Sequence, residues 1–181
     1  MVLTACGLLD PPDAGVPLED VRTTGRMLPG QLADAPDGPH VELLTATVAG
    51  REVEIVMQRD DAGACVAIRR PPASSTACGA VAGDDAAAGS TFGVVLVDAP
   101  SSGDPSAPLA VSGLVTAEVG SIRVELEDGS TARAVMFPLA PAGVEGSGFV
   151  VYLPADARQQ SLVAFDAGGI ELERLEFSAP R

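Results

Sequence analysis

The chain has 181 residues, of which 46% are hydrophobic, so it is long and apolar enough to fold as one domain with a substantial core and a tail. Its formal net charge of −14 disfavours binding to nucleic acid or to anionic lipid surfaces. The sequence contains no Lys, which excludes Schiff-base enzymes, Ser–Lys dyads and phosphate-binding P-loops. It also contains no Asn, which excludes an N-glycosylation sequon.

Residues 1–6 and 7–40 precede any sustained strand pattern. Residues 7–40 contain six prolines and six acidic side chains, a composition typical of an extended, solvated and disordered tether. Within this segment, Leu18–Met27 shows only a faint pattern of a short helix. His40, the only histidine, lies at the edge of the Pro-rich segment, and we interpret it as an exposed linker residue rather than a catalytic base.

From Val41 onward the sequence alternates with a period of two, and we predict a β domain over residues 41–181. In "SIRVELEDGS", Ile122, Val124 and Leu126 alternate with polar residues, which indicates a strand with one apolar face. The following Asp128-Gly129 predicts a hairpin into "TARAVMF". Further strands are predicted at "REVEIVMQ", "ACVAIRR", "FVVYL", "SLVAF" and "IELERLEF".

The predicted fold is all-β, with nine or ten strands in an antiparallel sandwich or a barrel-like domain, because turn signals recur every 8–12 residues. Two similar β-subdomains are the alternative, since "STFGVVLVDAP" resembles "GSGFVVYLPAD". In the last strand, Ile170 and Leu172 are out of phase with Leu175 and Phe177. A bulge near residues 173–174 is expected to bring all four onto the core face.

Three cysteines leave one without a partner if two of them pair. Cys65 and Cys78 are thirteen residues apart and flank a strand end and a Pro-Pro loop. A disulfide between them would stabilise the fold by about 3 kcal/mol and would imply an oxidising compartment. The alternative is two reduced, partly buried thiols in a cytosolic protein. A metal site is disfavoured because two thiolates supply too few soft ligands.

The remaining cysteine, Cys6, ends the stretch "LTAC" and is followed by Gly7. This stretch resembles a bacterial lipobox, with an aliphatic residue and two small residues ahead of the cysteine. The resemblance implies that Cys6 is lipidated and that a signal peptide is removed just before it. The charged and apolar parts of a signal peptide are missing, so either the true start codon lies upstream of Met1 or the chain is truncated. The alternative is a cytosolic protein with a cysteine at this position by coincidence.

The body of the chain carries a second resemblance. A "DDAG" turn leads into Cys65-Val66, a Cys78-Gly79 pair follows, and "VELEDGSTARAVMFPL", "GFVVYLP" and "LVAFDAGGIELERL" come later. This order is similar to a group of exported actinobacterial β-rich proteins of unknown activity. The resemblance implies an exported lipoprotein with a β-rich fold, and it carries no catalytic residue with it.

Acidic residues cluster in predicted turns, at Asp60, Asp61, Asp84 and Asp85. Such carboxylates are weak candidates for a Ca²⁺ site, but no EF-hand spacing is present and paired Asp is ordinary in turns. They also raise the alternative of an acid-dependent or metal-assisted hydrolase. A sugar cleft would be difficult to build, because the sequence has one Tyr and no Trp.

Arg69 and Arg70 stand side by side within the proposed disulfide loop of an otherwise acidic protein. Arginine is enriched at recognition hot spots, so this loop is the predicted partner-binding edge. Together these features predict a non-catalytic binding or scaffolding protein on the outer face of the cell membrane. It would need no cofactor, contact the membrane only through the anchor at Cys6, and bind an unidentified envelope protein or polymer. The hydrolase and the cytosolic interaction protein with free thiols remain alternatives.

Overall fold

The computed structural model describes residues 12–29, 39–60, 63–71, 73–81, 90–98 and 106–177. These residues form thirteen β-strands and one short 3-10 turn at Ala140–Ala142. The strands are β1 (Leu18–Leu28), β2 (His40–Val48), β3 (Arg51–Asp60), β4 (Gly63–Arg70), β5 (Ala73–Gly79), β6 (Phe92–Asp98), β7 (Leu109–Val115), β8 (Val119–Leu126), β9 (Thr131–Arg133), β10 (Val135–Pro138), β11 (Ser147–Leu153), β12 (Gln159–Asp166) and β13 (Glu171–Glu176).

The strands form three antiparallel sheets, which confirms the predicted all-β antiparallel class. The front sheet has the order β1-β2-β3-β4-β5, in which each strand pairs with its neighbour in sequence. The central sheet has the order β10-β11-β7-β6, and the back sheet has the order β13-β12-β8-β9. The sheets stack as open layers, so of the two predicted forms the structure has the sandwich.

The central sheet is buried on both faces, which explains why its strands are apolar without alternation. Along β11, Val150 and Tyr152 pack in the core shared with the front sheet, whereas Phe149 and Val151 pack in the core shared with the back sheet. A strand covered on both faces is typically apolar along nearly its whole length. We call the two interfaces the front core and the back core.

The structure has more strands than the nine or ten predicted from the sequence. One reason is that "TARAVMF" is not a single strand: β9 pairs with β8 in the back sheet, whereas β10 pairs with β11 in the central sheet. The change of sheet occurs at Ala134. The alternative of two similar β-subdomains does not describe this topology, because β6, β7 and β11 share one sheet while β12 lies in another.

Two sequence-predicted details of the back sheet are present in modified form. The Asp128-Gly129 hairpin exists, with Gly129 at a φ of 83°, but its connection spans the four residues 127–130. The bulge in β13 falls at Leu172, since Ala164 pairs with Glu173 and Phe165 pairs with Glu171. Leu175 and Phe177 pack against the back core as predicted. Ile170 and Leu172 do not, and both are exposed.

The N-terminal segment corrects the tether prediction for the residues that are described. Leu18–Leu28 is a strand, neither a tether nor a short helix, and it pairs with β2 along the edge of the front sheet. Before it, the amide of Ala14 donates to the carbonyl of Thr131 at 2.7 Å, and that of Val16 donates to Tyr152 at 2.7 Å. An edge strand buries little, so a polar sequence is compatible with it.

The prediction that His40 is an exposed linker residue is also wrong. His40 begins β2 and is only 4% exposed, because it is already part of the front sheet.

Among the described ranges, no helix is long and apolar enough to cross a membrane.

Candidate functional site

The predicted disulfide is present and joins two strands of the front sheet. β4 and β5 form an antiparallel hairpin in which Cys65 lies directly opposite Cys78, with 4.0 Å between their Cα atoms. Cys65 is 4% exposed and packs with Val56 and Ala67 in a small apolar cluster. The bond therefore fixes β5, the edge strand of the front sheet, to the rest of that sheet.

The two candidate binding arginines at the end of this hairpin point to opposite faces of β4. Arg69 forms an ion pair at 3.1 Å with Glu54, its cross-strand partner in β3. Arg70 faces the central sheet, where it pairs with Asp98 of β6 and donates a hydrogen bond to the carbonyl oxygen of Pro108 at 3.2 Å. Adjacent residues of a strand alternate between its faces, so the pair seen in the sequence is separated in space.

Arg70 lines a cavity of about 750 Å³ between the front and central sheets. The cavity lies beside the turns that join β2 to β3 and β4 to β5, so it is located at one end of the front core. We call it the interlayer cavity. Its volume is within the range of typical small-molecule sites. The walls combine aliphatic residues such as Val53 and Ile68 with small residues such as Ala49 and Ser74.

The ion pair in this cavity links its two walls. Asp98 is 6% exposed, and one of its carboxylate oxygens accepts a hydrogen bond of 2.5 Å from the hydroxyl of Ser75 in β5. Arg70 comes from the front sheet and Asp98 from the central sheet. Buried charges of this kind are tolerated because they are paired and hydrogen-bonded.

Tyr152 lines the same cavity, but its hydroxyl oxygen is inaccessible to solvent. The residue is 1% exposed, and its hydroxyl has no hydrogen-bond partner among the described residues. Burial raises the pKa of Tyr152 to about 12, although the nearby positive charge of Arg70 opposes the shift. The hydroxyl therefore stays protonated above the ordinary pKa of a tyrosine. An unpaired buried hydroxyl costs free energy, so it is a feature that requires an explanation.

The described lining of the interlayer cavity contains few acidic side chains. Its carboxylates in the described part of the chain are Asp98 and Glu52, and Asp98 already contacts Arg70 and Ser75. Elsewhere in the residues that the structure describes, no group of three or more His, Cys, Asp or Glu side chains is placed to hold a metal ion.

Several predicted site residues fall outside the described part of the chain. These are the lipidation candidate Cys6 and three of the weak Ca²⁺ candidates, Asp61, Asp84 and Asp85. The backbone of Asp60 ends β3, opposite Gly63, and its side chain is not among those described.

The sequence analysis identified Arg70 but missed Asp98, with which it pairs, and Tyr152, which lines the same cavity. Asp98 was not among its candidate residues, and Tyr152 was only part of the predicted strand "FVVYL". The single signal for Tyr152 was that the one tyrosine of the chain stands in an otherwise aliphatic run, "FVVYL". Comparison of the chain with protein-family models, with curated proteins and with solved structures gives no match.

Proposed function

We propose that this protein is a non-catalytic binding protein of the cell envelope, anchored by a lipid at Cys6, and that its ligand occupies the interlayer cavity. The observation that carries the binding proposal is the cavity itself, with the side chains of Arg70 and Ser75 among the mostly apolar residues of its walls. Pockets that combine mostly apolar walls with a few converging polar groups are the usual form of ligand sites.

The location is supported by the cysteines. A Cys65–Cys78 disulfide fits an oxidising compartment and counts against a cytosolic protein with free thiols. The lipobox resemblance at residues 3–7 accounts for the third cysteine. The predicted partner remains an envelope protein or polymer, and the binding group that it presents has to enter the interlayer cavity.

The intact, non-reduced mass of the protein from its native host, expressed with its natural upstream DNA, tests the location. We expect a chain that begins at Cys6, carries a lipid and is two hydrogens lighter because of the disulfide. A chain that begins at Met1 or Val2 with three free thiols would overturn the envelope assignment.

Native mass spectrometry of the folded protein after exposure to envelope extract tests the binding site. We expect a ligand bound to the wild type and to Arg69→Ala, which changes the outer face of β4. The variant Ala107→Phe fills space at the cavity wall and should lose that ligand. Retention of the same ligand by folded Ala107→Phe would show that binding occurs elsewhere and would refute the cavity site.

A further inference from the structure

The outer face of the back sheet carries a row of arginines. Arg133 of β9 lies opposite Arg123 of β8. On the other side of Arg123, Val163 of β12 separates it from Arg174 of β13. Because the residues before and after them in β8 and β12 pack in the back core, these side chains project from the opposite face. We call this set the arginine row.

Within the arginine row, Arg174 is the member that carboxylates neutralise. It forms ion pairs with Glu125 and Glu171, whereas neither Arg123 nor Arg133 forms an ion pair within the described part of the chain. The hydrogen bond from Arg174 is the main cause that lowers the pKa of Glu125, and the charge of Arg123 has the smallest effect on it. Glu125, two residues along β8 from Arg123, is thus committed to another partner.

Arg123 and Arg133 are like charges at directly opposite positions of two paired strands. Residues at such positions have Cβ atoms about 5 Å apart, and like charges there destabilise a sheet. Arg133 is exposed and Arg123 is partly exposed, so both side chains are accessible to a partner. The guanidinium carbon of Arg123 lies 5.0 Å from the ring centroid of Phe165, which holds this group at the sheet surface. The fold therefore places two cations together and pairs them with no described carboxylate.

From these observations we infer that Arg123 and Arg133 together bind a carboxylate on an acidic segment of a protein partner. A carboxylate has two oxygens with about four acceptor sites, and each guanidinium offers a fork of N–H donors, so one carboxylate can accept from both arginines. The arginine row lies on the far side of the back sheet from the interlayer cavity. The inference therefore does not depend on whether the cavity binds a ligand.

The surrounding charges favour a segment with one carboxylate over a polyanion. Glu125, Glu171 and Glu176 project from the same face, in the two rows of residues that flank the arginine row. They would repel a polymer that carries a negative charge at every repeat. The net charge of −14 adds a longer-range repulsion, which salt screens beyond about 8 Å at physiological ionic strength. A single carboxylate avoids most of this repulsion.

Apolar side chains beside the arginine row indicate what flanks that carboxylate. Phe165 is partly exposed, and the hairpin that follows it presents Ile170 and Leu172, which are 66% and 37% exposed. A partner segment with aliphatic side chains next to its acidic residue would cover this apolar surface.

The size of the face disfavours a second copy of the chain as the partner. Four strands about 4.8 Å apart and about 20 Å long give an area of roughly 400 Å². Each partner in a stable interface of standard size buries about 800 Å². The area suits a short peptide segment instead.

Two-dimensional NMR of the full chain tests the inference, because the side chain of each arginine gives its own N–H signal. The probe is the acetylated and amidated pentapeptide Ala-Val-Glu-Val-Ala, and its matched analogue has glutamine in place of glutamate. Inorganic polyphosphate is the polyanion probe. The variant is Arg123→Gln with Arg133→Gln, which keeps part of both aliphatic stems. Its charge-matched control is Arg22→Gln with Arg158→Gln, since both of these arginines are exposed and lie outside the arginine row.

We expect the glutamate peptide to shift the side-chain signals of Arg123 and Arg133 and to bind at least about fivefold more tightly than the glutamine peptide. This preference should shrink when salt is raised from about 0.05 M to about 0.5 M, because exposed charges are screened. The double variant in the arginine row should lose the preference, and the charge-matched control should keep it. Arg133→Gln alone should leave the thermal midpoint unchanged or raise it, because it removes a like-charge contact.

The inference is wrong if the two peptides bind equally or not at all, or if the control loses the preference as the double variant does. Tighter binding of polyphosphate than of the glutamate peptide would assign the face to a polyanion. Shifts of the arginine signals that depend on protein concentration, without any probe, would assign it to a second copy of the chain. Either result overturns the inference. A lower thermal midpoint in Arg133→Gln would also overturn it, because the arginine would then serve the fold.

Discussion

The two faces of the central sheet are built from the same strands but differ in kind. On the back face, Phe149 packs edge-to-face on Phe92, with ring centroids 6.3 Å apart and planes at 73°. On the front face, the same pair of strands, β7 and β11, carries Ser112 and Tyr152. Both residues are fully buried, and their hydroxyls have no hydrogen-bond partner among the described residues. The back core contains no such orphaned side-chain atom in the described part of the chain.

This difference distinguishes an apolar core from a core that also borders the interlayer cavity. The back core is apolar in the described part of the chain, so its contribution to stability follows from buried area. The front core includes a cavity, a buried ion pair and unsatisfied hydroxyls, each of which lowers the stability that the same surface would otherwise give. The expected consequence is that substitutions in the back core change stability, whereas selected substitutions in the front core change binding.

The largest expected effect is that of Phe149→Ala on the back face. Phe149 is fully buried, so its truncation leaves a cavity and should lower the free energy of unfolding by about 3–5 kcal/mol. Urea denaturation measures the change. The control is Phe165→Ala, because Phe165 is only partly buried and lies under Arg123, with 5.0 Å from the guanidinium carbon to the ring centroid. Equal losses of unfolding free energy in Phe149→Ala and Phe165→Ala would contradict the prediction that burial in the back core determines the cost of truncation.

The second effect is that of the disulfide on the front sheet. The double variant Cys65→Ala with Cys78→Ala should lower the free energy of unfolding by about 3 kcal/mol, because the bond restricts the unfolded chain over a separation of thirteen residues. It should also weaken ligand binding, since the cavity wall includes β4 and β5. The wild type in reducing buffer is the control and should show the same shift. If the denaturation midpoint is unchanged in both the double variant and the reduced wild type, the disulfide does not contribute to the stability of the hairpin.

The sequence predicted those parts of the fold that depend on neighbouring residues. The alternation of Ile122, Val124 and Leu126 located a half-buried strand, and Asp128-Gly129 located its hairpin. It did not predict β1, whose Pro-rich and acidic surroundings hide an edge strand that buries little. It also did not predict that "FVVYL" is covered on both faces, because an apolar run does not say which layers enclose it.

The candidate site was harder to predict from the sequence than the fold, because its residues come from strands that are distant in sequence. Arg70 was a candidate on composition alone, yet Asp98 and Tyr152 reach it only once the front and central sheets pack together. Strand alternation places Arg69 and Arg70 on opposite faces of β4, which could be predicted from the sequence. Their ion-pair partners could not be predicted, because alternation gives the faces of a strand and not its neighbouring strands.

A smaller effect of opposite sign is expected for Tyr152→Phe. Removal of an unpaired buried hydroxyl should raise the free energy of unfolding by about 1 kcal/mol. The pH dependence provides a second measurement. Burial raises the pKa of Tyr152 from its ordinary value near 10 to about 12, so the folded state favours the neutral phenol. Wild-type stability should therefore fall as the pH rises from about 10 to about 12, and the variant should lack this loss.

The absorbance of the tyrosinate ion gives the same pKa directly, because the chain has a single tyrosine and no lysine titrates in that range. A tyrosinate transition at the ordinary pKa would mean that the hydroxyl is solvated, and the front core would then resemble a surface rather than a buried site.

The smallest effect is expected on the outer face of the back sheet. Arg174 lies 2.9 Å from Glu171 and 2.5 Å from Glu125, whose carboxylate also accepts a hydrogen bond of 2.8 Å from Ser161. The hydrogen bonds from Arg174 lower the pKa of both glutamates, and they raise the pKa of the arginine itself. These groups are partly exposed, so Arg174→Ala should cost only about 0.5–1 kcal/mol.

The sign of the pH dependence follows from the lowered pKa values. The stabilisation by Arg174 is present above the ordinary pKa of glutamate, near 4.3, and is lost as the pH falls through the lowered values of the folded state. The difference between wild type and Arg174→Ala should thus shrink in acid and in high salt. Arg158→Ala is the control, because Arg158 lies 3.9 Å from an exposed Glu127 and should contribute almost nothing. If the free energies of unfolding of wild type and Arg174→Ala differ by the same amount at all pH values, the loss is due to packing of the arginine side chain. The surface charges of the back sheet would then make no contribution to its stability.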